Sequence, residues 1–195
     1  MDVDEHRPSS DEIEALVRRI DRPVVLVGMM GVGKSSVGKR LAALLRCPFI
    51  DADDEIEKAA QMTIPEIFDT YGEPYFRDGE RRVIARLIEG DAGTGTGRKV
   101  IATGGGAFIN AETRALILSR AIAVWLDSDV ETLLERTGRK DNRPLLRQGN
   151  PRETLTRLRD ERRPAYSQAP IHVLSSNGPH GRTVAKVLQG IGQWL

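Results

Sequence analysis

An α/β fold, a parallel five-stranded sheet flanked by helices, is what this sequence predicts, and three observations predict it. Short apolar runs alternate with stretches of helical period along the chain. The first run, Val24–Val27, leads into Gly28-Met29-Met30-Gly31-Val32-Gly33-Lys34-Ser35, which fits the phosphate-binding pattern G-x-x-x-x-G-K-[ST]. A helical pattern follows, with Val37, Leu41, Leu44 and Leu45 on one face and Lys39 and Arg40 on the other. Strand, glycine loop and helix together are the context this motif needs. The glycines let backbone N–H groups close around phosphate oxygens, and the helix N-terminus adds partial positive charge at the same point. Strands alternating with helices pair parallel through right-handed crossovers, and ligands bind at the strands' carboxyl ends.

The elements follow in order. Residues 1–9 read as a disordered polar arm. Ser9 and Glu12 have capping-box spacing, and Ile13, Leu16, Val17 and Ile20 continue with helical period until Asp21-Arg22-Pro23. Residues 1–22 are therefore an arm with an extra helix, and 23–195 a single domain. After the first strand, a helix runs to about Arg46 and a short strand covers 48–51. Residues 53–89 are mostly helical, with breaks near Met62-Thr63-Ile64-Pro65 and at Tyr71-Gly72. Residues 91–97, with glycine at every second position from Gly93, are a linker. A strand at 99–102 ends in Gly104-Gly105-Gly106. A helix at 111–120, a buried-type strand at 121–126 and a helix at 130–136 follow. Residues 137–151 are polar, basic and turn-rich. A helix at 152–166, a strand at 172–174 and a closing helix at 183–194 complete the chain.

The 195 residues suffice for one domain with a sizeable core. Charged residues make up 29% but the net charge is only +1, which argues against a nucleic-acid or membrane-surface partner. The apolar runs are too short to span a bilayer, and Met1-Asp2-Val3-Asp4-Glu5-His6 is too acidic for a secretory signal. Cys47 is the only cysteine, which fits a reducing cytoplasm. A monomer is expected. His6, His172 and His180 show no ligand spacing, so none is assigned to a metal.

The motif gives Lys34 to the outer phosphates of a nucleotide and the Ser35 hydroxyl to Mg²⁺. Extended-chain alternation through Phe49-Ile50-Asp51-Ala52-Asp53-Asp54 puts Asp51 and Asp53 on one side, facing the phosphates. One carboxylate near Mg²⁺ and one facing an acceptor hydroxyl suit phosphoryl transfer. Capping of the next helix by Asp51 or Asp53 competes with that reading. Arg77 and Glu80, one helical turn apart, look by themselves like an ordinary surface ion pair. Gly104–Gly106 bare the backbone, a weak signal alone. Arg136, Arg139, Lys140, Arg143 and Arg147 crowd one stretch, either as a solvated loop or as a lid whose arginine closes on phosphates.

Taken together, residues 28–36, 49–53, 72–80 with Phe76-Arg77, 103–106, Arg143-Pro144-Leu145-Leu146 and Glu161-Arg162-Arg163-Pro164-Ala165-Tyr166 resemble the shikimate kinase family, in the family's order and from Pro23 to Leu195. The resemblance implies a P-loop NTPase fold of the nucleoside-monophosphate-kinase type, with a helical substrate-binding insertion at about 53–89 and a lid at about 137–151. It implies transfer of phosphate from ATP to the 3-hydroxyl of shikimate, on the route to chorismate and the aromatic amino acids. By position, Gly31, Val32, Gly33, Lys34, Ser35 and Ser36 bind ATP, joined by Arg143 from the lid. Ser35 and, through water, Asp51 hold Mg²⁺. Asp53, Arg77, Gly105 and Arg162 bind shikimate, within apolar walls from Ile64, Phe68 and Phe76. Lys34, Asp53 and Arg143 are the catalytic set. Two features depart from the family pattern: the N-terminal extension, and Ser175-Ser176-Asn177-Gly178-Pro179, where adenine contacts fall. The adenine-contacting residues are left unassigned. The rivals are another small-molecule P-loop kinase, such as one for gluconate, and a nucleotide-binding switch without turnover.

Overall fold

The structure is a computed structural model that describes residues 8–90, 97–138, 149–175 and 180–195. Its five strands are β1 (Val24–Val27), β2 (Phe49–Asp51), β3 (Val100–Ala102), β4 (Ile122–Asp127) and β5 (Ile171–Leu174). They pair in the order β2-β3-β1-β4-β5, all parallel, with Val25 between Ile101 and Ala123. Every residue of β1 is fully buried, as expected of a parallel strand covered on both faces, which is why it reads as an unbroken apolar run.

The eight helices are α1 (Ser10–Arg19), α2 (Lys34–Leu44), α3 (Ala52–Ala60), α4 (Ile64–Glu89), α5 (Ala111–Arg120), α6 (Val130–Gly138), α7 (Pro151–Tyr166) and α8 (His180–Trp194), as counted among the described residues. From β1 the chain travels to the β2 edge, and from β3 it travels back past β1 to β4. Right-handed crossovers running in opposite directions put α2 and α5 on opposite faces of the sheet. Helix α8 returns to pack on α2 and β5. The chain thus departs to either side of β1, and the carboxyl end of β1 opens into the crevice where such sheets bind ligands.

Element boundaries follow local chemistry. The capping box expected at α1 is formed: Ser9 Oγ accepts from Glu12 N, and Glu12 Oε2 accepts from Ser9 N. Helix α2 stops at Leu44 rather than near Arg46, because Arg46 turns left-handed at φ 50°. Thr63 and Glu66 form a second capping box at the start of α4, with Pro65 in its first turn. Gly72 (φ 80°, ψ 172°) kinks α4, and the segment beyond it buries Phe76, Glu80, Val83, Ile84 and Leu87. The buried Lys99 ammonium donates to the carbonyls of Leu87 and Gly90, closing the far end of that helix.

Among the described residues no helix is long and apolar enough to cross a membrane. The arm at 1–7, most of the linker, Ser176 to Pro179 and the lid between residues 139 and 148, with Arg143, lie outside the described residues. The expected first lid residue, Thr137, belongs instead to α6, where it is buried and donates to the Leu133 carbonyl.

Candidate active site

The phosphate loop leaves β1 at Gly28 and enters α2 at Gly33, which is the helix N-cap with φ 97°. An L side chain is strained at such a φ, so glycine is required there. Val32 is buried, and Ser35 and Ser36 stand exposed in the first turn of α2. Lys34 is buried, and its Nζ donates to the carbonyls of Gly28 (2.7 Å) and Met29 (2.9 Å). These bonds hold the ammonium over the loop into which the helix N-terminus points.

Ser35 Oγ donates to Asp51 Oδ2 at 2.7 Å. The other Asp51 oxygen accepts from the Asp53 amide at 3.1 Å and caps α3. Capping and adjacency to Ser35 therefore coexist in one side chain. Strand alternation is not what brings the two carboxylates together: α3 begins at Ala52, so Asp53 lies in its first helical turn, aimed by the cap. Burial, reinforced by the charge on Asp51, raises the Asp53 pKa to about 6, while Lys34 pulls it down. Asp53 and Lys34 thus act on one another across the space above the loop.

Gly104–Gly106, beyond β3, is where the distant predicted residues meet. A Cβ on Gly104 would lie 2.9 Å from Asp53 Oδ1 and 3.0 Å from Glu80 Oε1. On Gly105 it would lie 3.4 Å from Arg162 Nη1 and 3.4 Å from the backbone nitrogen of Met30. On Gly106 it would stand 2.5 Å from both terminal nitrogens of Arg77, so only glycine lets that guanidinium lie flat against the chain. Asp53, Arg77, Arg162 and the phosphate loop thus converge on three consecutive residues. Arg162 Nη1 donates to the Gly105 carbonyl at 3.1 Å, and the Tyr166 hydroxyl donates to the same oxygen.

The Arg77–Glu80 pair is real but does not lie on the surface. Arg77 Nη1 donates to Glu80 Oε2 at 2.7 Å, and the Glu80 side chain is only 3% exposed. Glu80 Oε1 is buried and has no hydrogen-bond partner among the described residues. Burial lifts the Glu80 pKa above the usual carboxylate range in spite of the Arg77 charge. Glu73 accepts from the other side of Arg77, so two carboxylates orient one guanidinium. The sequence held a signal for this: Phe76, Glu80, Val83, Ile84 and Leu87 share a helical face, and a carboxylate inside an apolar stripe is not a surface residue. The rings of Phe68 and Phe76 pack with centroids 4.6 Å apart, and Ile64 lies partly buried against the core.

Sequence marks Arg136 only as one member of a basic stretch. Its Nη1 donates to the Val32 carbonyl (3.1 Å) and the Ser175 hydroxyl (3.3 Å), tying the end of α6 to the phosphate loop. His180 approaches the same loop, its Cε1 lying 3.4 Å from where a Gly33 Cβ would be. Arg143 falls outside the described residues, so its place relative to this site is not among them.

The model of the shikimate kinase family matches residues 30–191. The shikimate kinase of Novosphingobium aromaticivorans is 68% identical over 187 residues, covering 96% of this chain and 96% of that protein. The shikimate kinase of Rhodopseudomonas palustris is 50% identical over 187 residues, 96% of this chain and 89% of that protein. Among solved structures, the shikimate kinase of Acinetobacter baumannii in complex with shikimate superposes with a TM-score of 0.81 at 38% identity, covering 91% of this chain and 97% of that one.

Proposed function

The chain belongs to the shikimate kinase family, and from that premise we propose how its residues divide the work of phosphoryl transfer. The activity is that of an ATP-dependent shikimate kinase: ATP and shikimate give ADP and 3-phosphoshikimate, in aromatic amino acid (chorismate) biosynthesis. The observation that carries the division of roles is the meeting of Asp53, Arg77 and Arg162 at Gly104–Gly106, beside the phosphate loop.

In this proposal the amides of Gly31, Val32, Gly33, Lys34, Ser35 and Ser36 receive the ATP phosphates at the start of α2. Lys34 counters the negative charge that shifts toward the β–γ bridging oxygen as the γ-phosphoryl group departs. Arg77 and Arg162 hold the shikimate carboxylate, for which planar guanidinium forks are suited, and the Gly105 backbone lines the ring. Asp53 accepts a hydrogen bond from the ring hydroxyl that attacks phosphorus and can take its proton as the new P–O bond forms. The transition state is loose, so alignment of hydroxyl and phosphorus supplies most of the rate, and a strong base is unnecessary. Arg143 belongs to the lid in this reading and closes on the phosphates.

Ser35 Oγ and Asp51 Oδ2, two oxygen donors side by side at the loop, fit a hard divalent cation. Mg²⁺ would be held by Ser35 and, through water, by Asp51, and would neutralise charge on the β- and γ-phosphates. We assign the enzyme a cytoplasmic monomer's role, with ATP and shikimate as its partners and no nucleic-acid or membrane surface. The near-zero net charge and the lone cysteine support this.

The acceptor half is tested by kinetics. Arg162→Ala raises KM for shikimate and lowers kcat/KM by about 2–5 kcal/mol, while KM for ATP stays within about twofold. Arg77→Ala acts in the same direction but also strands the buried Glu80 carboxylate, so its melting temperature falls further. Normal handling of shikimate by a folded Arg162→Ala enzyme would exclude this carboxylate site.

A further inference from the structure

We propose that Tyr166 is a positioning residue for the acceptor: its hydroxyl fixes the Gly105 carbonyl and so sets where Arg162 meets the shikimate carboxylate. The inference rests on the acceptor pocket proposed above and extends it to a side chain outside that pocket's charged set. Tyr166 ends α7, four residues beyond Arg162, so both project from one face of the helix. Their donors converge on one oxygen, Gly105 O. A carbonyl has two lone pairs, and here both are committed to α7. Gly105 also lies against the phosphate loop: a Cβ placed there would stand 3.4 Å from Met30 N and 3.7 Å from Gly28 O, as well as 3.4 Å from Arg162 Nη1. This single peptide therefore joins the helix of the acceptor arginine to the loop that carries ATP.

The phenol is held so that its hydroxyl has little freedom. Tyr166 is 1% exposed, and its ring lies nearly parallel to Trp125 (centroids 5.9 Å apart) and Phe108 (6.5 Å). Trp125 is itself stacked on His172 at 4.0 Å. Burial pushes the Tyr166 pKa up to about 12, against the opposing charge of Arg162, so the hydroxyl remains a donor throughout the working pH range. Phenylalanine would fill the same stack, and only the hydroxyl reaches the glycine segment.

Tyr166→Phe tests this with one atom removed. KM for shikimate rises about tenfold, kcat and KM for ATP change less than about threefold, and the protein melts within a few degrees of wild type. In an Arg162→Ala background the same change alters kcat/KM for shikimate by less than about threefold, because the two groups act through one contact. Unchanged KM for shikimate, equal losses toward ATP and shikimate, or fully multiplicative effects in the double variant would each overturn the proposal. If Tyr166→Phe does not fold, Trp125→Phe, which loosens the stack but keeps the hydroxyl, raises KM for shikimate about threefold at constant KM for ATP; an unchanged value overturns the proposal equally. Failure of the substrate reading itself looks different: wild type would then not phosphorylate shikimate at all.

Discussion

Lys34→Ala leaves a folded protein that has lost at least about 10²-fold in turnover, the scale on which a preorganised charge at a transition state is felt. Lys34 is the only cation between Gly28 and Ser35, and its ammonium is already held over the loop by the Gly28 and Met29 carbonyls. Removing it leaves the phosphate loop with its backbone amides and the α2 N-terminus but no side-chain cation of its own. Two carbonyls also lose a donor, so the melting temperature drops by a few degrees, consistent with about 1–2 kcal/mol. Circular dichroism separates that modest loss from unfolding. A folded Lys34→Ala enzyme with near-normal rates would remove this loop from ATP chemistry.

Asp53→Asn moves activity and stability in opposite directions. It keeps the shape of the side chain beside Gly104 but removes the carboxylate, and kcat falls about 10²-fold. Stability follows from the raised pKa, which moves from an ordinary aspartate's 3.8 to about 6 in the fold. Protonated Asp53 is the form the fold prefers. That preference is fully present below pH 3.8 and is lost as pH rises through about 6, above which a desolvated charge sits against Asp51. Asp53→Asn therefore melts higher than wild type above about pH 6, by on the order of 1–3 kcal/mol, and the difference shrinks toward about pH 4. Wild-type kcat/KM declines over the same interval as Asp53 takes up a proton and stops accepting the substrate hydroxyl. A variant less stable than wild type at about pH 8 would contradict the electrostatic account of this residue.

What was legible in the sequence divides by the range of the interactions involved. The phosphate loop could be read because its requirements are local: glycines at fixed offsets, a lysine, and a helix start within a few residues. Strands β1 and β4 could be read because burial on both faces leaves them almost wholly apolar. Period-two alternation does not describe the backbone at Asp53, since Asp51 ends the strand and caps the helix in one residue. Glu80 looks like half of a surface pair because spacing gives only its neighbour along the helix, whereas its burial comes from packing against the rest of the fold. The roles of Gly104 and Gly106 are hidden for the same reason. Their partners are Asp53, Glu80 and Arg77, on α3 and α4, and only the sheet order brings those helices over the end of β3.

The most direct test is a coupled assay of ADP release with Mg-ATP and a panel of acceptors: shikimate, gluconate and nucleoside monophosphates. In the proposed division of roles, two guanidinium groups for a carboxylate and one carboxylate for hydroxyls describe a small anionic polyol. Shikimate is expected to lead in kcat/KM by about 10²-fold or more over every other acceptor. A higher kcat/KM for gluconate or for a nucleoside monophosphate, or ADP release that no acceptor accelerates, would contradict the account.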